Sequence, residues 1–162
     1  MALVSVSVEA VGAHLVVRSR RVDDPGALLD LLPRDGLAWV RRGDGMVGWG
    51  EVARWELSGA DRFAEAAHVW REAVLGAVVR DDVQVPGSGP VAFGSFTFAD
   101  EGASVLVVPE VVVGRRDGVS WVTTISAGDR VPPMSAPEPR DPPASAGDVA
   151  FSAGSLTTPV SY

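Results

Sequence analysis

Residues 105–115 read Val-Leu-Val-Val-Pro-Glu-Val-Val-Val-Gly-Arg. Two near-continuous apolar runs, Val105 to Val108 and Val111 to Arg115, are interrupted only by a proline and a glutamate. Side chains alternate along a strand, so a strand apolar at successive positions is apolar on both faces and needs cover on both. Asp117-Gly118 follows, a pair suited to positive φ at both centres of a tight hairpin turn. The chain then resumes as Ser120 to Ile125. These runs predict interior strands that other elements must cover.

Strand-like patterns recur before them, over Leu3 to Val8, His14 to Arg18, Leu37 to Arg42, Met46 to Leu57 and Val91 to Phe98. Gly43-Asp44-Gly45 predicts a hairpin between the third and fourth of these. Asp23-Asp24-Pro25 offers an N-cap and an early proline to a short helix over Ala27 to Leu32, which Pro33 and Gly36 end. Asp61 to Val79 predicts the one long helix, with Phe63, Ala67, Trp70, Val74 and Val78 as its apolar face. Ser58 with Asp61 resembles a capping box. Residues 1–126 are thus expected to form an α+β unit, a layered mixed or antiparallel sheet with one long helix. Residues 127–148 carry six of the twelve prolines and predict a linker or mobile loop. Residues 149–162 turn apolar again, then place a helix start at Thr158-Pro159 four residues before Tyr162. A nucleated turn needs propagation to be stable, so the chain is expected to be the front part of something longer.

Composition then removes whole classes of chemistry. There is no cysteine, which excludes disulfides, thiolate metal sites and thiol nucleophiles. All 14 basic residues are arginine, and lysine is absent. A net charge of −7 disfavours a nucleic-acid partner. The longest apolar run, Ala73 to Val79, is too short to cross a bilayer, and Met1 to Val8 lacks the basic residues of a secretory signal. A soluble cytoplasmic protein without a membrane partner is expected.

Candidate reactive groups have plainer readings. His14 and His68 lack a partner at metal-ligand spacing and read as surface or satisfied histidines. Asp23-Asp24, Asp81-Asp82 and Asp100-Glu101 read as solvated loop carboxylates. Gly87-Ser88-Gly89-Pro90 lacks the following Gly-Lys-Ser/Thr of a P-loop, and its proline removes an N–H that a phosphate cradle would use. It reads as a turn. The five tryptophans, at 39, 49, 55, 70 and 121, read as core. The residues by themselves therefore assign no catalytic, cofactor-binding or metal-binding position.

The run Leu37-Ala-Trp-Val-Arg-Arg-Gly-Asp-Gly-Met-Val-Gly-Trp-Gly-Glu51 resembles the N-terminal hairpin of isochorismate synthases. Asp61-Arg-Phe-Ala-Glu65 with Trp70 resembles the helix that follows it. Pro86-Gly-Ser-Gly-Pro-Val-Ala-Phe-Gly-Ser-Phe-Thr-Phe98 resembles the family's glycine-rich turn and strand. Leu106 to Gly118 resembles the next strand pair, and Gly154-Ser155-Leu156 more weakly the opening of the chorismate-binding half.

The resemblance covers about residues 25–125 and implies an incomplete part of the anthranilate synthase component I-like fold. It implies conversion of chorismate to isochorismate with Mg²⁺, for menaquinone or siderophore synthesis, in the full-length family. The family's lysine base, glutamate acid and metal-holding glutamates lie in the C-terminal half. No lysine here can fill that role, so no catalytic or metal residue is transferred, and no Mg²⁺ is expected on this chain. Poor solubility or self-association is expected, through valine strands left uncovered. Other readings are an anthranilate, aminodeoxychorismate or salicylate synthase parent, a non-catalytic module pairing with a separately encoded catalytic half, and an unrelated small-molecule-binding domain.

Overall fold

Asp117 and Gly118 both adopt positive φ (50° and 76°), and the strands on either side pair across them. The computed structural model describes residues 5–7 and 14–128. Its strands are β1 (Ser5–Ser7), β2 (Leu15–Val22), β3 (Leu37–Arg41), β4 (Asp44–Trp49), β5 (Ala53–Leu57), β6 (Val78–Asp81), β7 (Phe93–Ser95), β8 (Ser104–Val108), β9 (Val111–Arg116) and β10 (Val119–Ala127). Helix α1 spans Arg62–Leu75, and a 3₁₀ turn spans Leu28–Leu31. Six strands form a mixed sheet in the order β3-β4-β9-β10-β2-β6, in which only β2 and β6 run parallel. Four form an antiparallel sheet in the order β1-β5-β8-β7. The architecture is α+β with one helix among the described residues.

The two sheets share a corner. The β4–β9 pair continues into the β5–β8 pair, so both strands of one ribbon pass from the six-stranded sheet to the four-stranded one. Gly50 turns the first strand at φ 73°, and Pro109-Glu110 turns the second. Backbone bonds stitch the bend: Glu110 N–H donates to the Trp49 carbonyl at 3.0 Å, and Ile125 N–H to the Glu110 carbonyl at 2.8 Å. A Cβ on Gly50 would lie 2.7 Å from the Glu110 carboxylate, so both space and φ demand glycine there.

The valine runs lie inside. Val107, Val108, Val112 and Val113 are all buried, successive residues facing opposite sides. Each contributes roughly 1.5–3 kcal/mol relative to an exposed side chain. Leu15, Val17 and Ile125 on one face of the large sheet pack on Ala53 and Val108, with Trp70, Ala73 and Ala77 beside them. Leu28 of the 3₁₀ turn covers the opposite face at Val47, Val113 and Val122. Leu57, Ala66 and Leu106 form a third cluster that seats α1 on the small sheet. The expectation of uncovered valines is therefore corrected: the described residues cover these valines themselves. The large exposed apolar residues are others, among them Phe63, Leu75, Val78 and Phe98.

Several boundaries differ from the sequence pattern. The first hairpin turns at Arg42-Gly43, with φ 55° and 88°, and Asp44 already pairs with Arg41 in the ladder. Gly45 pairs with Val40 in the strand, and glycine is needed there because a Cβ would clash with the Trp39 carbonyl. Met46 to Leu57 is two strands, since the corner at Gly50 divides it. Helix α1 stops at Leu75, and Val78-Val79 instead extend the large sheet against Val16 and Val17. β-branched residues suit that edge better than a helix end.

The buried residues of α1 are Arg62 and Ala66, with Val69, Trp70 and Ala73 half-buried beside them, and not the row through Phe63 and Ala67. Packing against the small sheet left Phe63 at 56% exposure. Neither proposed cap forms by side chain: the caps are Asp61 and Ala27, without a side-chain bond. Val91 to Phe98 yields a strand only at Phe93–Ser95. Of Leu3 to Val8, Ser5–Ser7 is the described part. The helix start at Thr158 and nearly all of the proline-rich segment lie outside the described residues.

Arg62 staples α1 to the loop before β8. Its guanidinium donates to the Gly59 carbonyl at 2.7 Å, the Thr97 carbonyl at 3.3 Å, the Phe98 carbonyl at 3.1 Å and Asp100 Oδ1. The residue is 6% exposed, and truncation would strand those acceptors. Arg62→Ala is expected to lower unfolding free energy by about 3 kcal/mol, and Arg62→Lys to restore only part of it. Urea denaturation of the three proteins, compared by midpoint at constant slope, measures this.

Candidate functional site

The residue that organises the site is Trp121, on central strand β10. With a two-residue turn at 117–118, β9 and β10 place Trp121 directly opposite Gly114. Gly114 in turn faces Met46, and Met46 faces Trp39. One cross-strand row therefore runs Trp39, Met46, Gly114, Trp121. The Trp121 indole lies over Gly114, where an added Cβ would be 2.2 Å from Cζ2. Glycine is what allows the indole to lie flat on the sheet.

This row lines a cavity of about 330 Å³. Pro86 and Gly87 close one side, with Gly87 at φ 101° and a Cβ there a tight 3.2 Å from Met46 Sδ and Trp121 Cζ2. Arg41, Asp44, Arg115, Arg116 and Asp117 supply the charges. Arg115 is already committed: it donates to Asp24 Oδ1 at 2.9 Å and to the Gly26 and Gly43 carbonyls. Asp44 lies 3.8 Å from Arg115 Nε and accepts from the Asp117 N–H, and Asp117 lies 3.9 Å from Arg116 Nε. The Arg41 guanidinium has no hydrogen-bond or ion-pair partner among the described residues. The Trp121 Nε1–H is buried and also lacks an acceptor among them.

The wall at Gly87 is positioned by a polar network. Ser19 and Thr123, buried in the large sheet, share a hydrogen bond at 2.8 Å, and the Gly89 N–H donates to Ser19 Oγ at 2.9 Å. Asp81 accepts from Ser88 Oγ at 2.6 Å, from Val83 N–H at 2.9 Å and from Gln84 N–H at 3.1 Å. Partial burial pushes the Asp81 carboxyl up, but the bonds from Ser88, Val83 and Gln84 outweigh it and hold the group below its ordinary value. The glycine-rich segment is thus a turn, as its sequence suggests. The Ser88 and Gly89 N–H groups are spent internally, on the Val85 carbonyl and Ser19.

The other singled-out residues do not converge. His14 and His68 are exposed, and their imidazoles have no hydrogen-bond or ion-pair partner among the described residues. Asp24 binds Arg115 and the Gly26 N–H, Asp82 binds Arg80, and Asp100 binds Arg62. Among the described residues, no group of three histidines or carboxylates gathers that could hold a metal ion. Trp121 is core, at 1% exposure, but Trp39 is 62% exposed, a correction to its reading as a core residue. The cavity was legible only through register: a glycine interrupting the valine run, seven residues before a tryptophan across a two-residue turn.

Because the folded carboxyl of Asp81 titrates below its unfolded counterpart, the group stabilises above about pH 4. That contribution falls away as pH drops through the depressed folded value. Asp81→Asn is expected to lower thermal stability at pH 7 and to lose less stability than the parent on acidification below pH 4. Melting temperatures across pH 2–7 for both proteins show whether the gap closes.

No described helix is long and apolar enough to cross a membrane. No curated protein and no solved structure matches the chain. The family model described as chorismate binding enzyme matches residues 38–130, more than half of the sequence. The matched span runs from β3 to just past β10, so it takes in the shared corner, α1 and the valine strands together. The chain belongs to the chorismate-binding enzyme family.

Proposed function

We propose that this chain is the N-terminal portion of an isochorismate synthase-like enzyme, supplying scaffold rather than reacting groups. The observation that carries the reading is the family match combined with a complete absence of lysine. In the resembling enzymes water attacks C2 of chorismate and the C4 hydroxyl leaves, in a Mg²⁺-dependent reaction. A base must take the water's proton and an acid must protonate the departing hydroxyl. The base in that family is a lysine, and arginine cannot replace it, because it stays protonated at any working pH. The carboxylates of Asp24, Asp81 and Asp100 are spent in structural bonds. The reacting groups then come from a second polypeptide region that completes the fold.

Surface features support a missing neighbour. β6 forms one edge of the large sheet with Val78 64% exposed, and Leu75 and Phe63 stand out from α1. Open edges and exposed apolar side chains of this kind mark surfaces that another element covers.

The purified 162-residue chain is expected to form no isochorismate from chorismate and Mg²⁺. Turnover is expected once the polypeptide encoded directly downstream of Tyr162 is added. Product detection by HPLC decides it. Turnover by the chain alone sinks the reading, and so does a downstream region that encodes no lysine-bearing chorismate-binding half.

A further inference from the structure

Along the free edge of β6 we infer a docking site for an extended acidic segment of a partner polypeptide. The segment adds to the large sheet as a further strand, with glutamates on one face and apolar side chains on the other. The inference deepens the preceding reading, on whose covering element it rests, by giving that element's chemistry.

The backbone sets the mode of binding. β6 ends the six-stranded sheet, with β2 on one side and no described strand on the other. Bonds from β6 to β2 alternate along the strand, and the Asp82 N–H, in phase with Val78 and Arg80, donates to the Ser19 carbonyl at 3.1 Å. Val79 therefore turns its own N–H and carbonyl away from β2, toward the open side. An extended segment laid there forms ladder bonds that no described strand supplies.

Side chains set what that segment carries. Val79 shares a sheet face with Val17, on which Trp70 and Ala73 of α1 pack, yet Val79 is itself 44% exposed. An apolar residue on that face of the added strand extends the layer. The opposite face is basic. Arg80 stands beside Arg18 in register, and Arg20 lies two residues further along β2 on the same face. Like charges side by side repel, so this face is destabilising until an anion joins it. Arg80 has Asp82 at 3.3 Å, in an exposed pair. The guanidiniums of Arg18 and Arg20 have no hydrogen-bond or ion-pair partner among the described residues, although both residues are half-buried. Every other buried or half-buried arginine among the described residues, namely Arg54, Arg62 and Arg115, is paired. A charge on an edge strand guards it against stray pairing, but Arg80 alone does that, and two more arginines one strand inward add nothing to it.

Distance selects glutamate. Neighbouring strands lie about 4.8 Å apart, so the added backbone runs about 10 Å from β2. A glutamate and an arginine together span that gap, and an aspartate falls one methylene short. Glutamates at alternate positions of the added strand lie about 7 Å apart, which matches the spacing of Arg18 and Arg20.

The test uses the full chain labelled with ¹⁵N and a capped peptide, Thr-Glu-Val-Glu-Val-Glu-Thr, with Thr-Gln-Val-Gln-Val-Gln-Thr as the neutral control. The acidic peptide is expected to shift the Val79 and Arg80 amides saturably and to slow hydrogen exchange at Val79. The neutral peptide is expected to bind at least about fivefold more weakly, the scale of two solvent-screened ion pairs. Arg18→Gln combined with Arg20→Gln should abolish that preference and leave the neutral peptide's affinity unchanged. In the parent, without any substitution, the preference should shrink as sodium chloride rises from about 0.05 M to about 0.5 M. Unmoved Val79 and Arg80 amides at about 5 mM acidic peptide overturn the site. Equal affinity for the two peptides at low salt overturns the acidic assignment, and so does a preference that survives in the double variant. A Val79 amide already protected without peptide overturns the partner: the chain then covers its own edge, or a second copy does where protection rises with protein concentration. The assay contains neither chorismate nor a downstream region, so its failure is distinct from a failure of the turnover experiment.

Discussion

The pairing of β2 with β10 holds the described structure together. Eight residues of β2, Leu15 to Val22, lie antiparallel to Ser120–Ala127, more than a hundred positions later in most pairs. Closing a loop that long costs entropy before any contact repays it, so the pairing must bury strongly. It does, through Leu15, Val17, Trp121, Val122 and Ile125. The strands also carry a hydrogen-bonded Ser19–Thr123 pair in the interior, where either hydroxyl alone would be a penalty. Every other strand of the large sheet is placed relative to this pair. β9 follows β10 through the tight turn, β4 follows β9, and β6 attaches to the free side of β2.

The same pairing builds the cavity from both directions. On one side it fixes Trp121 opposite Gly114 and so in line with Met46 and Trp39. On the other it presents Ser19 Oγ to the Gly89 N–H, drawing the 81–90 loop over the edge of the sheet. Asp81 and Ser88 close that loop on itself, which keeps Gly87 against the indole without a large side chain to hold it. Local turn chemistry and long-range sheet register therefore meet at one place.

Membership of the chorismate-binding enzyme family fits a division of labour within the fold. The described residues form layers that bury their own valines and commit several of their buried or half-buried arginines and aspartates to structure. Arg62 ties a helix to a loop, and Arg115 ties two loops and a strand. Groups used so thoroughly for positioning are not free for proton transfer. The β6 edge and the apolar side chains that α1 leaves exposed agree with the proposal that another region brings the chemistry.

Much of this was legible in the residues. Val105–Val108 and Val111–Val113 had to be interior strands, because apolar side chains at successive positions leave neither face fit for water. Asp117-Gly118 had to be a turn, because both residues tolerate positive φ. Lysine-dependent base catalysis was excluded by composition, with no structure required. Register and packing decided the rest. Arg42-Gly43 rather than Asp44-Gly45 became the hairpin turn, and in that register Gly45 lies in β4, where a Cβ would clash with the Trp39 carbonyl. α1 set Arg62 and Ala66 inward and left Phe63, Ala64 and Ala67 outside, a choice made by packing against the small sheet. Val78-Val79 joined the sheet because β2 offered an open edge. Trp39 and Trp121 have no local signal linking them; they share a wall only because four strands align them, and that alignment is a property of the whole sheet.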